Sequence, residues 1–63
     1  MQNTGYGIYL PAPIDRWIGV RQNGCDRYVE RQHAIGFETA MRATIMAIEF
    51  LQLDPKAFEV RPL

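Results

Sequence analysis

The chain has 63 residues with one cysteine and one histidine, and its seven acidic and seven basic side chains leave it formally neutral. Neutrality argues against a protein whose main ligand is nucleic acid, because such proteins usually carry a clear basic excess. One cysteine excludes an intrachain disulfide, and one cysteine with one histidine is too small a ligand set for a structural zinc site. A second copy is then the remaining way to stabilise so small a chain, so we predict one domain over residues 1–63 that forms a homodimer.

The first third of the chain predicts a single strand. Residues 1–7 are polar and glycine-rich and are expected to form a disordered tail. Pro11 and Pro13 argue against a central strand in residues 8–13, which are expected to lie extended across a surface. The aromatic and branched side chains that follow favour β structure and predict a strand at about residues 15–22.

The Asn-Gly dipeptide at residues 23–24 leaves two interpretations open. As a turn into a helix, it would be followed by Asp26 as the N-cap and by Gly36 at the position where helices commonly end, which predicts a helix over about 26–35. As a hairpin turn, it would join two strands within residues 16–32, because Asn-Gly is typical of tight β-hairpins. We favour the helix, because it accounts both for a capping residue at its start, Asp26, and for a glycine at its end, Gly36.

A longer helix is predicted over about residues 38–53, and Asp54-Pro55 ends it. Its apolar side chains span an arc of roughly 240°, whereas a helix that covers one core needs an arc of only about 100°. Ala40, Ala43 and Ala47 recur at helical spacing and would admit a second helix closely. The helix is therefore expected to be covered on two sides, once within its own chain and once by a second copy.

These elements predict an α+β fold with one short strand and two helices, assembled as an intertwined homodimer. The alternative is a β-hairpin over residues 16–32 packed on one helix. Residues 56–61 alternate in polarity and are compatible with either an edge strand or a docked tail.

Catalytic chemistry is not indicated. The chain has no serine, its single histidine His33 lies apart from Cys25, and its carboxylates are scattered singly. The glycines match neither a phosphate-binding loop nor a dinucleotide fingerprint. We predict a protein that is not an enzyme and has no cofactor and no metal site.

One resemblance accompanies the hairpin alternative. Gly36-Phe37-Glu38-Thr39 resembles the step that opens the helix in AP2-type and phage integrase arm-binding domains. That likeness implies a hairpin-helix module that contacts DNA through a basic, aromatic sheet. The candidate nucleic-acid contacts are Arg21, Arg27 and Arg31.

A second resemblance covers the whole chain. The layout of APIDRWIGVRQNGCDRYVERQ followed by GFETAMRATIMAIEFLQLD resembles small early proteins of lambdoid temperate bacteriophages, encoded between the exonuclease and excisionase genes. The likeness implies a homodimer with two helices and one strand per chain, a role in lytic development, and a hydrophobic cleft for an amphipathic helix.

The leading functional hypothesis is a phage early protein that acts through protein–protein interaction and offers an apolar groove to a helical host or phage partner. No secretory pattern and no membrane-spanning apolar run is visible, so we expect no membrane partner and a location in the bacterial host cytoplasm. The residues expected at the dimer interface or partner groove are Trp17, Tyr28, Met41, Met46, Ile48 and Phe50.

Overall fold

A computed structural model describes residues 5–20 and 28–63. These residues form a four-stranded antiparallel sheet with the strand order β3-β2-β1-β4 and one helix against it, which confirms the α+β class. The strands are β1 (Tyr6–Leu10), β2 (Arg16–Ile18), β3 (Tyr28–Val29) and β4 (Glu59–Pro62). The helix α1 (Ala40–Ile45) continues as a π-helical segment, Met46–Phe50, and a 3-10 turn occupies Arg31–His33.

Strand β1 lies inside the sheet, between β2 and β4, although the two prolines had argued against a central strand there. The prediction is wrong because Pro11 comes directly after the last strand residue, in the turn that leads to β2, and so removes no hydrogen bond from the ladder. Tyr6 and Gly7 belong to β1, so the predicted tail does not extend that far. Residues 1–4 lie outside the described part of the chain.

The segment after the predicted turn forms a strand and not a helix. Val29 lies opposite Trp17, and Tyr28 lies opposite Ile18, in an antiparallel pair with β2. The predicted helix over residues 26–35 is therefore wrong for its described part, where only the 3-10 turn is helical.

Pairing with β2 explains why this segment is extended. Tyr28 and Val29 are good strand formers beside an available strand, and cross-strand pairing outweighs the helix preference of the charged residues that follow. Glu30 has an extended backbone, with φ −74° and ψ 160°, and makes no side-chain capping hydrogen bond. The Asn-Gly turn and Asp26 lie outside the described residues, and the strand predicted over 15–22 is three residues long in its described part.

The long helix is present and shorter than predicted. Thr39 is its N-cap, and the side-chain hydroxyl accepts a hydrogen bond from the backbone N–H of Arg42 at 3.1 Å. Its last hydrogen bonds widen into the π segment, where the N–H of Leu51 donates to the carbonyl of Met46 at 3.0 Å. Gln52 has a left-handed backbone with φ 55°, so the helix ends before Asp54-Pro55.

Small side chains join the helix to the sheet. Ala43 and Ala47 are both 0% exposed. They belong to a core that also contains Ile8, Leu10, Ile18 and Phe58. Ala43 and Ala47, which were expected to contact the helix of a second copy, therefore let the helix lie close to its own sheet. The described residues contain no second α-helix, and the predicted fold of two helices and one strand is corrected to one helix and four strands.

The C-terminal residues resolve the choice left open for 56–61. Glu59–Pro62 pairs with β1 as an edge strand, with Val60 opposite Ile8. Leu63 extends the pairing, because its N–H donates to the carbonyl of Gly5 at 2.9 Å.

Candidate functional site

An open groove runs between the helix and the segment that precedes it; we call it the helix groove. It consists of two adjoining depressions of about 290 and 230 Å³ that share Phe37, Met46 and Phe50. One depression is bordered in addition by Gly36, Glu38, Arg42 and Ile45. The other is bordered in addition by Ile18, Gly19, Ile35 and Leu51.

Backbone hydrogen bonds fix the wall that faces the helix. The N–H of Tyr6 donates to the carbonyl of Phe37, and the N–H of Phe37 donates to the carbonyl of Tyr6, both at 2.8 Å. The N–H of Ile35 donates to the carbonyl of Ile18 at 3.1 Å. Residues 35–37 are therefore held against β1 and the end of β2, and the groove is attached to the sheet on this side.

The helix side of this region exposes large apolar side chains, which together form the exposed helix face. Met41 is 72% exposed and Phe50 is 69% exposed, while Ile45 and Ile48 are 41% and 40% exposed. Single exposed hydrophobic residues are ordinary, whereas four of them on one helix of so small a protein make that helix a candidate interaction surface. The sequence indicated a helix apolar on more than one side, and the single chain covers only one of those sides.

The predicted interface residues fall into three places. Met46 and Phe50 line the helix groove, and Met41 and Ile48 lie on the same helix outside the groove lining. Tyr28 is exposed on the edge strand β3. Trp17 is 8% exposed and packs with Tyr9, so the structure does not bring it to the groove.

Sequence reasoning missed the wall of the groove. Phe37 and Ile35 line it, although neither was assigned a role in an interface. The signal was weak, because a half-buried aromatic residue before a helix is as typical of core packing as of binding. Only the pairing of Phe37 with the distant strand β1 places its ring beside the helix.

A second cluster occupies the sheet face opposite the helix; we call it the aromatic sheet face. The Tyr9 and Trp17 rings lie with centroids 5.3 Å apart at 58°. The Arg61 guanidinium carbon lies 4.1 Å from the Tyr9 ring centroid, and Arg61 also pairs with Glu59 at 2.7 Å. The Tyr9 hydroxyl donates to the Asp15 carboxylate. The polar groups of this face are thus engaged with one another.

This hydrogen bond also changes the acidity of Tyr9. The Asp15 carboxylate accepts a hydrogen bond from the Tyr9 hydroxyl, and this contact, with desolvation and the charge of Asp15, raises the pKa of Tyr9 above its ordinary value. The Arg61 charge acts in the opposite direction. The phenol of Tyr9 is therefore held in its protonated form as a structural hydrogen-bond donor.

Three of the described arginines lie on different elements of the fold. Arg42 borders the helix groove, whereas Arg61 lies on the opposite side of the sheet over Tyr9. Arg31 is in the 3-10 turn. The other two candidate DNA contacts, Arg21 and Arg27, lie outside the described residues.

Residues 5–20 and 28–63 contain neither a metal-binding cluster nor a membrane-spanning helix. In this part of the chain, no three histidine, cysteine or carboxylate side chains lie close enough together to hold a metal ion. The same part contains no helix with the length and hydropathy that crossing a bilayer requires.

Comparison with protein-family models, curated proteins and solved structures gave no match.

Proposed function

We propose that this protein is a non-enzymatic interaction protein whose helix groove binds an amphipathic helix of another protein. The observation that supports this proposal is the continuous apolar lining that Phe37, Met46 and Phe50 give to both halves of the groove. Helix-in-groove recognition uses such a lining to bury an apolar stripe of the partner.

The side chains of the groove suit this mode energetically. Phe50 is 69% exposed, and its full burial would contribute about 1–2 kcal/mol, since burying an entire phenylalanine contributes about 1.5–3 kcal/mol. Met46 is half-buried and adapts its unbranched side chain to different partners. One aromatic anchor beside a flexible thioether is a typical centre for an interface.

Charges at one end of the groove give the partner an orientation. Glu38 and Arg42 border that end, and within the described residues neither side chain forms an ion pair. The other end is bordered by Ile18, Gly19 and Leu51, which carry no charge. The expected partner helix therefore has an apolar stripe that ends in a pair of opposite charges.

The biological setting of the proposal comes from sequence likeness alone. The resemblance to lambdoid early proteins supports a role in lytic development within the bacterial host cytoplasm, with a host or phage protein as partner. The fold that this likeness implies, two helices and one strand, differs from the described fold. Helix binding in the groove is therefore supported by the structure of the groove, and the role in lytic development is a separate hypothesis.

A displayed library of helical peptides tests the groove. Peptides selected on the full-length protein should share apolar residues at helical spacing, and Phe50→Ser should weaken their binding about 5- to 30-fold. Met41→Ser is the matched control, because Met41 is equally exposed on the same helix and does not line the groove. Equal loss with both variants, or enrichment of peptides without an apolar stripe, would refute helix-in-groove binding.

A second candidate, a DNA-binding hairpin-helix module, is favoured by one specific observation. The antiparallel pair of β2 and β3 beside one helix is the arrangement expected of that alternative. Fluorescence anisotropy with duplex DNA at low salt tests it, because phosphate contacts weaken steeply as salt rises. Absence of binding at low salt, or binding that is independent of salt, would exclude this function.

A further inference from the structure

We propose that the half of the helix groove bordered by Ile35 and Leu51 is a pocket for an aromatic side chain, which the partner helix inserts as its anchor. We call this half the apolar depression, and its lining is completed by Ile18, Gly19, Phe37, Met46 and Phe50. The pocket rests on the proposed helix-in-groove function and adds the chemical identity of the residue that enters.

The size and polarity of the apolar depression fit one ring. Its volume is about 230 Å³, and an apolar protein cavity of about 150 Å³ is already large enough to bind benzene. Among the described side chains that border it, none carries a hydroxyl, amide or charged group. A polar group that entered would therefore lose water without gaining a side-chain partner. Because the depression is open on one side, a ring that is attached to another chain can enter it.

Three of the lining side chains favour an aromatic ring over an aliphatic group of similar area. Phe37 and Phe50 offer rings from the two sides of the groove, and aromatic pairs attract one another beyond the effect of their burial. Met46 lies between them in the shared lining, and a thioether makes favourable contacts with ring edges. An aliphatic anchor would fill the same space but would gain neither kind of contact.

The π-helical segment shapes the helix side of this pocket. In an α-helix, residues five positions apart point about 140° away from each other. Here the N–H of Leu51 donates to the carbonyl of Met46 at 3.0 Å, which closes a wider turn and brings these two residues to the same side of the helix. Both therefore border the apolar depression, together with Phe50. Such π segments are frequent at functional sites, and this one supplies three of the residues that line the pocket.

Charge complementarity along the groove places the ring at one end. Glu38 and Arg42 border the other depression, whereas the apolar depression has no charge in its described lining. A charged anchor would be desolvated at this end without a partner, so an uncharged ring complements it. Arg42 and Leu51 are nine residues apart, which is roughly 10–13 Å along the helix. A partner helix that lies along the groove should therefore carry its charged pair about two turns from the aromatic residue.

A helical peptide selected on the full-length protein tests the ring, when a phenylalanine in its apolar stripe is replaced by cyclohexylalanine. The replacement saturates the ring and increases its apolar surface. Binding should nevertheless weaken about tenfold, because the contacts specific to an aromatic ring are lost. Burial of apolar surface alone predicts equal or tighter binding. Equal or tighter binding, or selection of helical peptides without an aromatic residue, would overturn the aromatic anchor and leave the helix-in-groove function intact.

Variants of the protein assign the preference to this pocket. Phe50→Leu keeps an apolar side chain but removes one ring from the lining, so the preference for phenylalanine over cyclohexylalanine should fall from about tenfold to about threefold. Met41→Leu is the matched control and should leave the preference unchanged, because Met41 is equally exposed and does not line the groove. Circular dichroism verifies that both variants are folded. The same preference in the wild type and in Phe50→Leu would overturn the assignment of the ring to this pocket.

NMR of the methionine methyl groups tests the pocket without a peptide. Benzyl alcohol on the order of 10 mM should shift the Met46 methyl signal and leave the Met41 signal in place, because a ring shifts only nuclei close to it. Cyclohexylmethanol at the same concentration should give a smaller shift. A shift of Met46 together with a failure to select any helical peptide would support the ring pocket and contradict the helix-in-groove function. A Met46 signal that moves no more than that of Met41 would overturn the pocket.

Discussion

The helix contacts its sheet through two alanines, and Ala47→Leu is the sharpest test of that packing. Ala47 is 0% exposed within the core that contains Ile8 and Ile18, so a leucine there must displace neighbours. Overpacking of this kind costs about 1–3 kcal/mol. A chain of this size has about 3–9 kcal/mol of stability in total. Each kcal/mol lowers the melting temperature by about 4–8 °C, so we expect a decrease of about 4–24 °C.

Ala40→Leu is the matched control for this substitution. Ala40 is exposed at the first helical position, and alanine and leucine have similar helix propensities, so the melting temperature should change by no more than about 2–4 °C. Thermal unfolding followed by circular dichroism at several protein concentrations measures both variants. If Ala47→Leu has the same melting temperature as the wild type but a different oligomeric mass, Ala47 contacts a second chain and the described packing is incorrect.

Three further predictions concern the sheet and the helix start. Gly5→Ala should destabilise the fold by at least about 1–2 kcal/mol in urea unfolding, because Gly5 has φ 90° and an added Cβ would overlap the Phe37 carbonyl. Asp15→Asn should lower the pKa of Tyr9 towards its ordinary value, which an ultraviolet titration measures. In the wild type, the raised pKa stabilises the fold below pH ~10, and this stabilisation is lost as the pH rises through the pKa of Tyr9 in the folded state. Thr39→Ala should cost about 0.5–2 kcal/mol in the same urea assay, whereas Thr39→Ser should preserve the cap.

Local sequence signals predicted the long helix and the α+β class of the fold. The apolar period and the stop at Asp54-Pro55 placed a helix over 38–53, and the observed helical residues fall within that range. Threonine as an N-cap is a local interaction, which sequence patterns report well. The backbone reversal at Gln52 is not encoded so clearly, so the predicted C-terminal boundary was too late.

Pairing between distant residues set the limit of prediction. Tyr28 and Val29 are a strand because β2 lies beside them, and the same residues also fit a short helix in isolation. Strand β1 is central because β4 returns to it from the end of the chain. Such contacts depend on register and topology, which the period of one segment does not report. The groove residues Met46 and Phe50 were predicted from the helix alone, whereas Phe37 required the bridge to Tyr6.

The two outer surfaces of the molecule differ in how far their groups are already satisfied, and this difference favours the helix side for binding. On the aromatic sheet face, Arg61 is held by Glu59 and the Tyr9 ring, and the Tyr9 hydroxyl is held by Asp15. A ligand there would have to replace existing contacts before it gained new ones. On the exposed helix face, the apolar side chains contact water, and covering them replaces no polar interaction. Association through the helix therefore carries the lower cost.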